Sequence, residues 1–125
     1  MYDVKTKRIL LVEDDAMVCQ LLSNVLAFAG YSLEAAHDGR EALERLQRER
    51  FDLIITDLQM PDVDGLSLLR GVELMGLDVP SIILSGVVDD ALIAQGRELG
   101  ARDYIAKPIM ADELLERVAL QLEPA

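Results

Sequence analysis

Five polar residues occupy comparable places in this chain, each at the carboxyl end of a short, mostly apolar run. Glu13 and Asp14 follow Arg8-Ile-Leu-Leu-Val12, Asp57 closes Phe51-Asp-Leu-Ile-Ile-Thr56, Ser85 follows Ser81-Ile-Ile-Leu84, and Lys107 follows Asp103-Tyr-Ile-Ala106. Three carboxylates sharing one pocket repel one another unless a hard cation sits among them. Mg²⁺ (or Mn²⁺) suits such donors, because it binds through one or two carboxylates and keeps waters for phosphate. Phosphoryl transfer consists mainly of positioning and of cancelling charge on three equatorial oxygens. The cation takes one oxygen, the Lys107 ammonium a second, and the Ser85 hydroxyl with nearby backbone amides the third. Asp57 then stands as an in-line nucleophile that becomes an aspartyl phosphate.

The elements that must position these groups alternate along the chain. The first strand is Ile9–Glu13, and a helix from about Asp15 to Ala29 follows, with Val18, Leu21, Leu22, Val25 and Leu26 as its apolar stripe. Gly30 ends that helix. Tyr31–Ala36 is a weaker strand, and Asp38 opens a helix through about Arg48 with Ala42, Leu43 and Leu46 inward. Asp52–Thr56 is the third strand, and the loop Leu58–Gly65 leads to a helix near Leu66–Leu74. Ser81–Leu84 is the fourth strand. The fourth helix, about Asp89–Leu99, has a thin stripe and Gly96 in its interior, which predicts the most mobile helix. Asp103–Ala106 is the fifth strand, and the last helix, about Ala111–Leu122, turns Leu114, Leu115, Val118, Ala119 and Leu122 inward.

Strands apolar on both faces belong to a parallel sheet with helices on both sides, so five βα units predict an α/β fold with right-handed crossovers. Two strand orders are common for such sheets; in 2-1-3-4-5 the first and third strands are neighbours and the ligand crevice lies between them. All five polar residues then share one edge. Taken singly, each has a plainer reading: Asp57 a strand-end cap, Ser85 a loop hydroxyl, Lys107 a surface lysine. Their convergence favours the chemical one. Asp15 reads as a helix N-cap, Asp62 and Asp64 as turn residues before Gly65, His37 as a solvated loop residue, Cys19 as a passive helix residue and Met60 as loop packing.

Bulk properties set bounds. The 125 residues suit one domain, and 51% are apolar, enough for a core of that size. A net charge of −11 argues against direct contact with nucleic acid and with anionic membrane surfaces, both of which need a basic face. No apolar run approaches the roughly 20 residues of a membrane helix. The one cysteine forms no internal disulfide and fits a reducing cytosol, so the expected location is cytoplasmic.

The segments Leu11-Val-Glu-Asp-Asp15, Thr56-Asp-Leu-Gln-Met-Pro-Asp-Val-Asp-Gly65, Ile83-Leu-Ser-Gly86 and Asp103-Tyr-Ile-Ala-Lys-Pro108 together resemble the receiver domain of bacterial two-component response regulators. The resemblance implies a single receiver domain over residues 1–125, with its core at about 8–122. It implies a flavodoxin-like (βα)5 three-layer sandwich with strand order 2-1-3-4-5. Asp57 would accept phosphate from a histidine kinase or histidine phosphotransfer protein. Asp14, Asp57 and the backbone carbonyl of Gln59 would hold Mg²⁺, with Glu13 binding through water. No organic cofactor is implied. Ser85, in place of the commoner threonine, would reorient towards the phosphate, and Tyr104 would swing inward with it. Lys107 would anchor the phosphate, and its bond to Pro108 would be cis. Gln59 and Val87 occupy positions that tune phosphate lifetime, and Val87 is expected to hinder attacking water. The output surface would be the fourth helix, fifth strand and fifth helix, acting on an output domain or protein the sequence does not name. Dimerisation on activation is possible.

Other classes fit less well. Aspartate-nucleophile phosphatases place an Asp-x-Asp pair after the first strand and carry a cap; here the nucleophile follows the third strand and the length leaves no room for one. An acidic pocket would repel a flavin phosphate. A degenerate receiver serving only as a phosphorylation-independent protein scaffold would not need the full set of acids, hydroxyl and lysine. The expected role is therefore a signalling phosphoacceptor that catalyses only its own phosphorylation and dephosphorylation.

Overall fold

Successive side chains on a strand point to opposite faces, so an all-aliphatic strand must be covered on both. In the computed structural model, which describes residues 6–86 and 89–122, the strands obey this rule. The elements run β1 (Arg8–Val12), α1 (Ala16–Phe28), β2 (Ser32–Ala36), α2 (Gly39–Arg48), β3 (Leu53–Asp57), α3 (Gly65–Leu74), β4 (Ser81–Ser85), α4 (Asp90–Glu98), β5 (Ala101–Ala106) and α5 (Ala111–Leu122). The sheet is parallel throughout, in the order β2-β1-β3-β4-β5, with β1 beside β3 as expected. β3 and β4 are buried along their whole length, whereas β2, an outer strand, is buried only at Ala36. Val87 lies outside the described residues, so the expectation about it meets no observation here.

Alternation along the strands divides the core. On one face Ile9, Leu11, Leu53, Ile55, Ile82, Leu84 and Ile105 pack against Leu22 and Leu26 of α1 and Leu114 and Val118 of α5. On the other, Leu10, Val12 and Ile54 meet Ala42 and Leu46 of α2 and Leu68 and Val72 of α3, and Ile83 meets Leu69 with Leu92 of α4 at its edge. Three layers result, with the sheet in the middle.

Each of the first four helices starts at an aspartate. Asp15, Asp38, Asp64 and Asp89 accept backbone N–H groups of the first turns, each worth about 1 kcal/mol. Asp64 thus has the turn role expected of it. Asp62 lies in the same turn, as expected, at φ 66°, and pairs with Arg40 at 3.1 Å. His37 is exposed and Met60 is buried in the second cluster, as expected.

Two details differ from the sequence reading. Leu21 is not part of the α1 core stripe but is 60% exposed, and Cys19 is buried in its stead. The face centred on Cys19, Leu22 and Leu26 meets the sheet, with Val18 and Val25 flanking it, and Leu21 falls outside that arc. Gly96 also acquires a steric reason. A β-carbon there would collide with the Ile83 side chain, so glycine lets α4 approach β4, and Gly96 is the helix's one buried residue.

Candidate functional site

The strands deliver the polar residues to one edge. Val12 is in register with Thr56, so Glu13 comes to lie beside Asp57. The ladder continues past the strand ends: Glu13 N–H donates to Ala36 O at 3.1 Å, Leu58 N–H to Leu84 O at 2.9 Å, and Lys107 N–H to Ser85 O at 2.8 Å. These bonds fix the backbone on which each side chain stands. Lys107–Pro108 is a cis peptide.

Lys107 Nζ bridges two acids, reaching Glu13 Oε1 at 3.0 Å and Asp57 Oδ2 at 2.9 Å. Glu13 is fully buried; its other oxygen accepts Asp15 N–H at 3.2 Å. Asp57 Oδ1 accepts Gln59 N–H at 3.3 Å. Asp14 is exposed at the mouth of the pocket. Carboxylate oxygens of Glu13, Asp14 and Asp57 lie within 4.8 Å of one another, the one such acid cluster among the described residues. Three hard oxygen donors, one of them on an exposed residue, fit an octahedral dication that keeps part of its water shell. Ser85 is buried at the end of β4, and Tyr104 is half-buried against the Ile83 cluster. Glu13, Asp14, Asp57, Ser85 and Lys107 therefore share one edge of the sheet.

Burial decides the electrostatics. Desolvation pushes the Glu13 carboxyl above its ordinary value, outweighing its hydrogen bonds from Lys107 and from the Asp15 N–H, and the Asp57 charge adds to the rise. Burial alone would lower the Lys107 ammonium, but its hydrogen bonds to Asp57 and Glu13 hold it above its ordinary value. The lysine thus stays charged at neutral pH, and its contribution to stability is lost only as pH rises past about 10.5. Glu13 acts with the same sign at lower pH: the folded state holds its proton more tightly than the unfolded one, so stability falls as pH rises from about 4.5. Glu13→Gln removes this component. In EDTA, its melting temperature relative to wild type is expected to climb as pH is raised from 4.5 towards 7; a constant difference across that range would refute the assignment.

Two features escaped the sequence reading. Thr56 is fully buried and its hydroxyl donates to Asp57 O at 2.9 Å, steadying the backbone beneath the acid. Its signal was a lone hydroxyl in an aliphatic strand. The bridging of both acids by Lys107 had none, since it depends on where β5 ends relative to β1 and β3. Size does not mark the site either. A cleft of about 530 Å³ lies at the opposite edge of the sheet, between Leu46–Asp52 and Leu77–Val79, away from the carboxylates.

A flavodoxin-like fold with a lysine-bridged acid cluster at its switch point is thus in place. Comparison with known proteins assigns it: the response regulator receiver domain family matches residues 9–119, and the chain belongs to that family. It is 40% identical over 114 residues to the transcriptional regulatory protein DltR of Streptococcus agalactiae, covering 91% of this chain and 51% of that protein. It is 41% identical over 111 residues to the response regulator MprA of Mycobacterium leprae, covering 89% and 49%. The chain spans about half the length of these curated relatives. Among solved structures it resembles the chemotaxis protein CheY4 of Vibrio cholerae (TM-score 0.90, 32% identity, covering 94% of this chain and 100% of that one). A response regulator from Chloroflexus aurantiacus is similar (TM-score 0.87, 36% identity, 94% and 98%). No described helix is long and apolar enough to cross a membrane.

Proposed function

We propose that Asp57 is a phosphoacceptor, taking a phosphoryl group from a phosphohistidine of a histidine kinase or histidine phosphotransfer protein. The observation that carries this reading is the geometry of Lys107, whose ammonium lies within hydrogen-bond reach of Asp57 and Glu13 while Asp14 completes an acid cluster beside them. One Asp57 oxygen attacks phosphorus, the phosphorus–nitrogen bond breaks, and the donor imidazole leaves with that electron pair. Asp14, Asp57 and the Gln59 carbonyl would hold Mg²⁺ or Mn²⁺, with Glu13 acting through water. A bound dication supplies charge neutralisation for the phosphoryl oxygens. Lys107 then turns from the acids to a phosphoryl oxygen, and Ser85 offers its hydroxyl to another. Tyr104 follows Ser85 and passes the change to α4, β5 and α5, the surface for an output domain or protein in the same cell compartment, the cytoplasm. Incubation with acetyl phosphate and Mg²⁺ tests the chemistry: the expected result is a mass increase of one phosphoryl group, removed by hydroxylamine. A chain that stays unmodified with Mg²⁺ and Mn²⁺ refutes it.

The donor needs a docking surface next to Asp57. α1 provides one: none of its 13 residues is charged, in a chain of net charge −11. Charge depletion marks the centre of interfaces. Exposed Leu21, with Val18, Val25 and Pro108, lines an apolar groove of about 390 Å³ whose wall includes Lys107. Leu21→Glu is expected to slow transfer from a phosphorylated donor protein by at least about tenfold, the scale of losing an interface anchor. Phosphorylation by acetyl phosphate, which needs no protein surface, stays at the wild-type rate. Equal slowing with both donors would assign Leu21 to the fold instead.

A further inference from the structure

We infer that Gly39, at the start of α2, is a positioning residue for the loop between β3 and α3, and through that loop for the cation-binding end of the pocket. The inference rests on the proposed reading of Asp57 and the Gln59 carbonyl as metal ligands.

Gly39 is buried, and its N–H donates to Val63 O at 3.2 Å. A β-carbon at position 39 would lie 2.6 Å from that carbonyl oxygen and 2.6 Å from Val63 Cγ1. The first contact is with backbone, so no rotamer change relieves it. The amino end of α2 therefore forms a wall against which the loop rests.

The loop is held unevenly. Leu58 and Met60 are buried, and Gly65 N–H closes on Leu58 O at 3.0 Å. Between these anchors Pro61 and Asp62 are exposed, and the Asp62 side chain pairs with Arg40 in solvent. Such exposed pairs contribute little. Gln59 stands between the two buried anchors, with its N–H on Asp57 Oδ1. α2, by contrast, is fastened along its length: Asp38 caps it, Ala42 and Leu46 are buried, and Leu43 packs so closely on Gly71 of α3 that a β-carbon there would come within 2.7 Å of it. Segments with few buried contacts yield first. A side chain at position 39 thus displaces the loop rather than the helix, and the displacement runs back through Asp62 and Pro61 to Met60, whose buried side chain must shift for it to reach Gln59.

Gly39→Ala is expected to weaken Mg²⁺ binding about tenfold, the scale for removing groups that hold metal ligands in place. Affinity is read by following amide resonances through an Mg²⁺ titration. In EDTA, the Gln59 and Val63 amide resonances should already be displaced from their wild-type positions. Ala42→Gly, which loosens the same helix away from the loop, lowers the melting temperature but keeps wild-type Mg²⁺ affinity. Should Gly39→Ala fail to fold, Val63→Ala withdraws the loop's side of the contact and is expected to weaken Mg²⁺ binding by a smaller factor. Wild-type affinity in the folded variants, with resonance changes confined to α2, would overturn the inference. If wild type itself binds no Mg²⁺, the proposed function fails, and the EDTA spectra still decide whether Gly39 positions the loop.

Discussion

Asp57→Asn is expected to take up no phosphoryl group from acetyl phosphate or from a phosphorylated donor, at a loss of at least about a thousandfold, because the amide is not a nucleophile and no other acid stands in its place. Glu13 is fully buried with both oxygens engaged, by Lys107 and by the Asp15 N–H. Asp14 is exposed, outside the grip of the lysine. Intact mass after incubation with Mg²⁺ is the measurement. A variant that acquires one phosphoryl group at a wild-type rate would show that the reactive residue is elsewhere. The same variant keeps the Glu13–Lys107 contact, so a folded, unphosphorylated protein is the expected sample and a trivial loss of structure is distinguishable by circular dichroism.

Lys107→Met has the second large effect, and it falls on stability. The substitution leaves Glu13 and Asp57, which are 0% and 6% exposed, facing each other without a cation. Removing one partner of a buried ion pair costs about 3–5 kcal/mol. The lysine side chain is 27% exposed, and solvent screening brings the expected cost down to about 2–3 kcal/mol. For a chain of this length, that lowers the melting temperature in EDTA by about 10 °C. Glu13 responds by holding its proton to still higher pH, so the deficit shrinks in acid and grows towards neutrality. Saturating Mg²⁺ restores more of the loss in the variant than it adds to wild type, because it replaces the missing charge. Differential scanning calorimetry across pH, with and without Mg²⁺, measures both effects. A variant that melts with wild type in EDTA would mean that the lysine does not neutralise the acids.

Leu21 and Gly96 show where sequence reading stopped. Leu21 has the spacing of a core residue, yet the arc that α1 turns to the sheet is centred one position away, on Leu22, and leaves Leu21 in solvent. Periodicity gives the existence of an apolar face but not its rotation, which packing against α5 and the strands fixes. Gly96 reads in sequence as a weak point in a helix. In the fold it is the place where α4 touches Ile83, and any larger residue there would have to push the end of the Ile83 side chain aside.

By itself the sequence determined the alternation of five strands and five helices, because apolar period is a local property. It determined that Glu13, Asp14, Asp57, Ser85 and Lys107 stand at strand ends, and so the kind of chemistry they suit. Asp15, Asp38 and Asp89 as helix starts were equally local, since a cap bonds within its own first turn. Only the tertiary structure decided that Lys107 lies between Glu13 and Asp57, that burial lifts the Glu13 carboxyl, and that Gly39 abuts Val63. These facts depend on contacts between residues far apart in the chain, such as Lys107 with Glu13. Their distances are set by strand order, register and the closeness of helix to loop, quantities that no short stretch of residues encodes.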